Sequence, residues 1–346
     1  MPITLPEIPP VDEAVQEQAR ARQAILTKPA GALGVLETLS IQLAGITGRL
    51  DWLPQRRVVV VCAGDHGVVA QRISAYPQTV TRQMVINFLN GGAAVNVLAR
   101  QMGARVIVVD AGVAGDFDSH PDLVNGKIAY GTADFTLQSA MTAAQADASI
   151  ALGLRVAQQE MERGLDILAV GEMGIGNTTA ASAIIAAITG KPPAQVTGRG
   201  TGLDDLQLEH KIAVIEKALV LHNPANESTL QKLGGFEIGA MAGLMLGAAA
   251  QRIPVMIDGL ISTAAALIAV QYQSGVKPYL IAGHRSAEPG HGVALDALEL
   301  FPLLRLEMRT GEGSGAVLAL PIVEAAMRIL QEMATFDDAG VSRKNP

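Results

Sequence analysis

Cysteine is almost missing from this 346-residue chain: Cys62 stands alone, so no internal disulfide can form. A small scaffold held by bridges is thereby excluded. The thiol lies in the apolar run Arg57 to Ala63 and reads as a small core residue of a protein from a reducing compartment. Aromatic residues are scarce at 3%, and no block of Lys or Arg occurs. With a net charge of -7, the chain lacks both the stacking platforms and the cationic surface that nucleic-acid binding uses. The first ten residues hold four prolines and an acid where a leader would have a basic and then an apolar region. The most apolar long window, Pro254 to Val270, contains Asp258 and reads as strand plus helix, not as a membrane span. A cytoplasmic protein without membrane or nucleic-acid partners is expected.

Familiar catalytic signatures are also missing. There is no G-x-S-x-G elbow and no CxxC. What the chain does have is 49% hydrophobic residues and 36 glycines, the composition of a tightly packed α/β protein. Its organising stretch is Leu165 to Lys191. An apolar run from Leu165 to Val170 has the length of a buried strand, and an Ala/Ile-rich helix is predicted from Thr178. Gly171, Gly174 and Gly176 make the connection tight, and Asn177, Thr178 and Thr179 put side-chain oxygens at the helix start. Strand, glycine turn and open helix start together suit an anion, since N–H groups and the positive dipole end converge. The stretch reads either as a phosphate cradle or as a bare strand-to-helix turn. No Gly-Lys-Ser/Thr follows it, so it is not a Walker loop. Glu172 would repel a phosphate and is expected to face a sugar hydroxyl or a reacting group.

Further apolar runs end in acids and glycines: Arg57 to Ala63 before Gly64-Asp65-His66-Gly67, Arg105 to Asp110, Val255 to Asp258, and Tyr279 to Ala282 before Gly283-His284. Alternating with helical patterns, they predict a parallel sheet of at least five strands with crossover helices. A hairpin is predicted around Asn125-Gly126, and Leu295 to Arg309 is apolar at helical spacing despite Pro302. A second glycine loop, Thr197 to Asp205, opens a helix carrying Lys211, so Arg199 and Lys211 could face one anion. Glu312 lies between Gly311 and Gly313 ahead of an apolar helix. It reads as a poorly solvated general base or as a partner of the helix dipole. His66, His284 and His291 could serve a metal-dependent hydrolase, but Pro289 and the neighbouring glycines deny HExxH spacing. A non-catalytic nucleotide-binding protein is the other rival.

Five motifs, AGDHGV (Ala63 to Val68), GEMGIGNTT (Gly171 to Thr179), TGRGTGLDD (Thr197 to Asp205), AGHRSAEPGH (Ala282 to His291) and MRTGEGSGA (Met308 to Ala316), occur in this order. The chain thereby resembles the nicotinate-nucleotide:dimethylbenzimidazole phosphoribosyltransferase family of cobalamin biosynthesis. The resemblance implies a Rossmann-like parallel sheet flanked by helices, in a large α/β domain over residues 55–300. A smaller helical domain would be formed by both chain ends, 1–54 and 301–346. It also implies a homodimer, no cofactor and no metal, with nicotinate mononucleotide and 5,6-dimethylbenzimidazole as substrates. By match to the motifs, Glu312 is the general base with Glu172 beside it, and Gly174, Gly176, Asn177, Thr178, Thr179, Gly200 and Lys211 form the phosphate and ribose site. Tyr76, Pro77, Gln83, Thr310 and Gly311 would border the acceptor base. Thr310 stands where the family usually has Leu, which could shift the preferred acceptor. Ala32 and Val35 replace the more usual Ser and Arg, which is expected to touch only packing.

Overall fold

The computed structural model describes residues 3–200, 202–223 and 228–342. Thr201 of the second glycine loop, Met1 and Pro2, and the last four residues of the polar tail lie outside the described residues. The β-branched runs become strands β1 (Arg57–Gly64), β2 (Ala104–Gly112), β3 (Leu123–Asn125), β4 (Ile167–Met173), β5 (Val255–Ile257) and β6 (Leu280–Ala282). Among the described residues they form one six-stranded sheet in the order β3-β2-β1-β4-β5-β6, and every pairing is parallel. This α/β class is the one expected.

Helices α1 (Glu13–Ile25) and α2 (Val35–Thr47) precede the sheet, and α3 (Thr79–Leu89) and α4 (Ala94–Gln101) join β1 to β2. Helix α5 (Ala143–Glu162) leads into β4. Between β4 and β5 come α6 (Asn177–Thr189), α7 (Pro193–Val196), α8 (Asp205–His222), α9 (Thr229–Leu233) and α10 (Phe236–Ala250). Helix α11 (Leu260–Tyr272) joins β5 to β6, and α12 (Pro289–Leu298), α13 (Ser314–Leu318) and α14 (Leu320–Glu332) complete the chain. Alternate β1 residues go to opposite faces: Val58, Val60 and Cys62 join one apolar cluster, Val59, Val61 and Ala63 the other. The sheet is therefore buried on both sides, which is why its strands read as unbroken apolar runs. Helices α1, α2 and α14, from the two ends of the chain, pack together, and Leu26 bridges Thr335.

Two expectations fail. No hairpin forms at Asn125-Gly126, because β3 pairs in parallel with β2. Gly126 is small for another reason: a Cβ there would meet Leu152 of α5 at 2.3 Å. Helix α12 stops at Leu298, where Glu299 turns left-handed at φ +55°. The following stretch runs extended beside β6, with the Leu303 and Leu304 N–H groups donating to Ala282 and Gly283 carbonyls at 3.0 and 3.1 Å. Pro302, which has no N–H, suits that edge better than a helix interior.

Small residues also let α5 and α10 touch at the backbone. A Cβ on Gly153 would sit 2.0 Å from the Ala240 carbonyl oxygen. Gly153→Ala is expected to cost about 1–3 kcal/mol by overpacking, despite the better helix propensity of Ala. The check is a thermal midpoint lower by a few degrees; an unchanged midpoint would show that the helices can part without loss.

Candidate active site

In this strand order, β1 and β4 send their crossovers to opposite sides, leaving a crevice outside their carboxyl ends. Strand β4 runs further than its apolar pattern suggested, so Gly171 and Glu172 are strand residues and only Gly174 to Gly176 turn. Each glycine there is needed. A Cβ on Gly174 would meet the Gly64 carbonyl oxygen at 2.3 Å, and Gly176 takes φ +95° at the start of α6. No side chain caps α6. Asn177, its first residue, turns back so that its Nδ2 donates to Glu172 Oε2.

Lys211 arrives from α8, whose start is fixed by Asp204 accepting from the Gln207 N–H at 2.8 Å. Its buried Nζ donates to Thr178 Oγ1 at 2.8 Å and to the Gly198 carbonyl at 3.3 Å. Burial pushes Lys211 down to about 8, and the Glu288 charge opposes that shift. Gly200, at φ +51°, donates its N–H to Glu288 Oε1 at 3.1 Å. One cavity is lined by Glu172, Gly174, Asn177, Thr178, Gly200, Glu288, Thr310 and Gly311. It therefore unites the two glycine loops with residues just before the last helices.

Over the end of β4 lie three consecutive left-handed residues: Gly311 at φ +73°, Glu312 at +66° and Gly313 at +88°. For Glu312 that conformation costs about 1–3 kcal/mol and persists only under outside constraint. Its carbonyl oxygen sits 2.2 Å from where a Cβ on Gly171 would be, so glycine in the strand makes room for the loop. Its Oε2 accepts from the Val95 N–H at 3.1 Å, at the start of α4. Burial and the Asp258 charge raise the Glu312 pKa, with the Val95 N–H pulling the other way.

Glu172 is buried as well. Desolvation first, then the charges of Asp258 and Glu237, push it up to about 8 against the Asn177 hydrogen bond. Near neutrality it is thus mostly an uncharged acid, which removes the expected repulsion of a neighbouring phosphate. A raised carboxylate pKa means that the native state holds a proton the unfolded chain has released. Stability from this group is therefore lost as pH rises from the ordinary carboxylate range through about 8. Glu172→Gln is expected to raise the thermal midpoint at pH values above 8 and to leave it nearly unchanged at acid pH. An equal effect at both would place the native pKa elsewhere.

The structure separates other residues from this group. Arg199 does not face the cavity: it pairs with Asp205 and donates to the Leu203 carbonyl at 2.9 Å, a better home for an exposed guanidinium. Thr179 is buried inside α6 and does not line the cavity. Tyr76, Pro77 and Gln83 are exposed, and Gln83 lines a different cavity with Asp65, Gln78 and Arg82. The first turn of α3 still borders the phosphate turn, since Thr81 Oγ1 accepts from the Ile175 N–H at 3.0 Å. His66 is tied to Glu237 at 2.7 Å, both fully buried. His284 and His291 neighbour each other instead, with ring centroids 6.0 Å apart. Among the described residues, no group of three His, Cys, Asp or Glu side chains is placed to hold a metal ion. The sequence reading missed Asp258 at this site, although its Asp-Gly strand end matched the pattern seen at Asp65 and Asp110. Glu237 offered no signal, because it is one acid in an otherwise apolar helix.

A family model described as Phosphoribosyltransferase matches residues 8–341. The chain belongs to that phosphoribosyltransferase family. Similar to it are the nicotinate-nucleotide–dimethylbenzimidazole phosphoribosyltransferases of Chloroflexus aggregans and of a Roseiflexus species, each 58% identical over 344 residues, covering 99% of this chain and 98% of the relative. A crystal structure of the protein of that name from Thermus thermophilus superposes with a TM-score of 0.92 at 45% identity, covering 96% of this chain and all of that one. The chain is accordingly a phosphoribosyltransferase, and its family membership spans both glycine loops and the Glu312 loop.

Proposed function

We propose that this phosphoribosyltransferase moves the 5-phosphoribosyl group from nicotinate mononucleotide to 5,6-dimethylbenzimidazole, giving α-ribazole 5′-phosphate and nicotinate. One observation carries the assignment of roles: Thr178, held by the buried Lys211, and Glu172 line one cavity with Gly311, and Glu172 accepts from the backbone of Glu312 next to it. The donor's phosphate takes the cradle of Gly174, Gly176, Asn177, Thr178, Gly200 and Lys211. Its ribose faces Glu172, which as an acid can donate to a sugar oxygen.

The acceptor lies against Glu312, Thr310 and Gly311. One ring nitrogen attacks C1′ while the C1′–N bond to nicotinate breaks, and that electron pair neutralises the pyridinium nitrogen. The other ring N–H becomes acidic as the new bond forms, and Glu312 takes its proton. Holding the remote phosphate fixes C1′ between the two rings, converting binding into orientation. The same proposal has the enzyme act as a homodimer in the cytoplasm, which sedimentation at twice the chain mass would support.

The test is nicotinate release from nicotinate mononucleotide by the purified protein, with EDTA present, with and without 5,6-dimethylbenzimidazole. Acceptor-dependent release is expected. Failure to release nicotinate with any benzimidazole, purine or phenol would sink the transferase assignment and favour a nucleotide-binding role.

A further inference from the structure

Asp258 follows β5, and its buried carboxylate lies beneath the loop that carries Glu312. Its Oδ1 accepts from the Gly315 N–H at 2.7 Å and the Ala316 N–H at 3.0 Å, and its Oδ2 accepts from the Gly313 N–H at 3.3 Å. His284 Nε2 approaches Oδ1 at 3.4 Å. Asp258 is itself braced, since its N–H donates to Ser262 Oγ at 2.8 Å. His284 is wedged against the same loop, where a Cβ on Gly315 would fall 2.0 Å from its Cδ2.

A loop with three left-handed residues in a row does not hold itself. Three of its outer restraints act on Glu312 directly, through Gly171 below, Val95 beside it and Glu172, whose carboxylate accepts from its backbone. The fourth acts on the residues just after it, where Asp258 accepts from three N–H groups and His284 packs alongside. We propose that Asp258 is a positioning residue for the reaction, a carboxylate clip that fixes the Glu312 loop and sets the charge environment in which Glu312 takes up its proton. The inference rests on Glu312 being the base. No bond to substrate is asked of Asp258.

Glu172 on β4 and Asp258 after β5 face Glu312, and His284 after β6 faces Asp258, while the first turn of α4 and all of α13 offer no titratable side chain. Of these, Glu172 accepts from the Glu312 backbone, whereas Asp258 ties the residues that follow, Gly313, Gly315 and Ala316.

Asp258→Asn presents an amide N–H to the Gly313 N–H and removes the charge. Asp258→Glu keeps the charge but moves it by one methylene. Because a ~1 Å misplacement of a reacting group costs on the order of 100-fold, both variants are expected to lose about 10-fold or more in kcat with donor affinity near wild type. Only Asp258→Asn should also move the acid limb of kcat to lower pH, by roughly half a unit or more. Amide hydrogen exchange over residues 311–316 should speed up in Asp258→Asn, whatever reaction the enzyme catalyses. Wild-type kcat in both variants, parallel loss of donor binding, or unchanged exchange would each overturn the clip. If the wild type released no nicotinate, the transferase reading would fail instead, and the exchange result would still decide the role of Asp258 in holding the loop.

Discussion

Glu312→Gln is expected to bind nicotinate mononucleotide as the wild type does and to turn over roughly 10² to 10⁴ times more slowly, the usual worth of a general base. The amide matches the carboxylate in shape. Its Oε1 can still accept from the Val95 N–H that now holds Oε2 at 3.1 Å. The loop keeps its ties to Asp258. What the amide cannot do is accept a proton from the acceptor's ring nitrogen. The pH profile separates this from a packing defect. In the wild type, kcat should rise with pH as Glu312 ionises, at a pH above the ordinary carboxylate range because burial and Asp258 raise its pKa. The variant should show no such limb. A variant retaining wild-type kcat would assign the base elsewhere, with Glu172 the next carboxylate at the site.

Lys211→Met should act on the other end of the donor. The Met side chain fills the buried stem of Lys211 and removes the ammonium that holds Thr178 Oγ1 at 2.8 Å. Losing one member of a desolvated charge pair costs about 2–5 kcal/mol, so kcat/KM for nicotinate mononucleotide is expected to fall roughly 30- to 5,000-fold. The loss should appear mainly in KM if the phosphate is bound equally before and during the reaction. A group held down at about 8 is charged below that pH and neutral above it. Wild-type kcat/KM should therefore decline above pH 8 more steeply than that of the variant, in which only Glu172 still titrates at about 8. Steady-state kinetics on both proteins from pH 6 to 10 makes the comparison. A steep alkaline decline that persists in Lys211→Met would move the titration to another group.

How much of this was legible before any coordinates depends on what each residue answers to. The strands were legible because a sheet covered on both faces demands apolar residues at every position, and runs such as Arg57 to Ala63 have few other uses. The cradle was legible because backbone that must turn within three residues against Gly64 needs glycine, and glycine is visible in a sequence. Asn125-Gly126 misled for the same reason: the glycine there answers to Leu152 across space, not to a turn. Arg199 misled because a cation near an anion site has a nearer partner in Asp205, and short-range competition does not show in spacing. Asp258 escaped notice as a site residue because its importance lies in the three N–H groups of a loop some 55 residues later in the chain. The expected neighbourhood of Tyr76, Pro77 and Gln83 with Glu312 came from resemblance alone, and side-chain exposure does not supply it.

The seat of Glu312 also has a consequence in time. Its carboxylate rests on an N–H 217 residues away, so the site is complete only once the loop and α4 have met. Closing contacts across most of a chain is slow, because the ordering entropy is spent before the contacts reward it. During refolding, backbone ellipticity should therefore return before turnover does. The sole tryptophan, Trp52, is placed to report the interval: it is buried in the same apolar cluster as Met327 and Leu330, and its carbonyl accepts from Gln331 Nε2 at 2.9 Å. Its emission follows the packing of α14 against the residues after α2, a step against which the return of turnover can be timed.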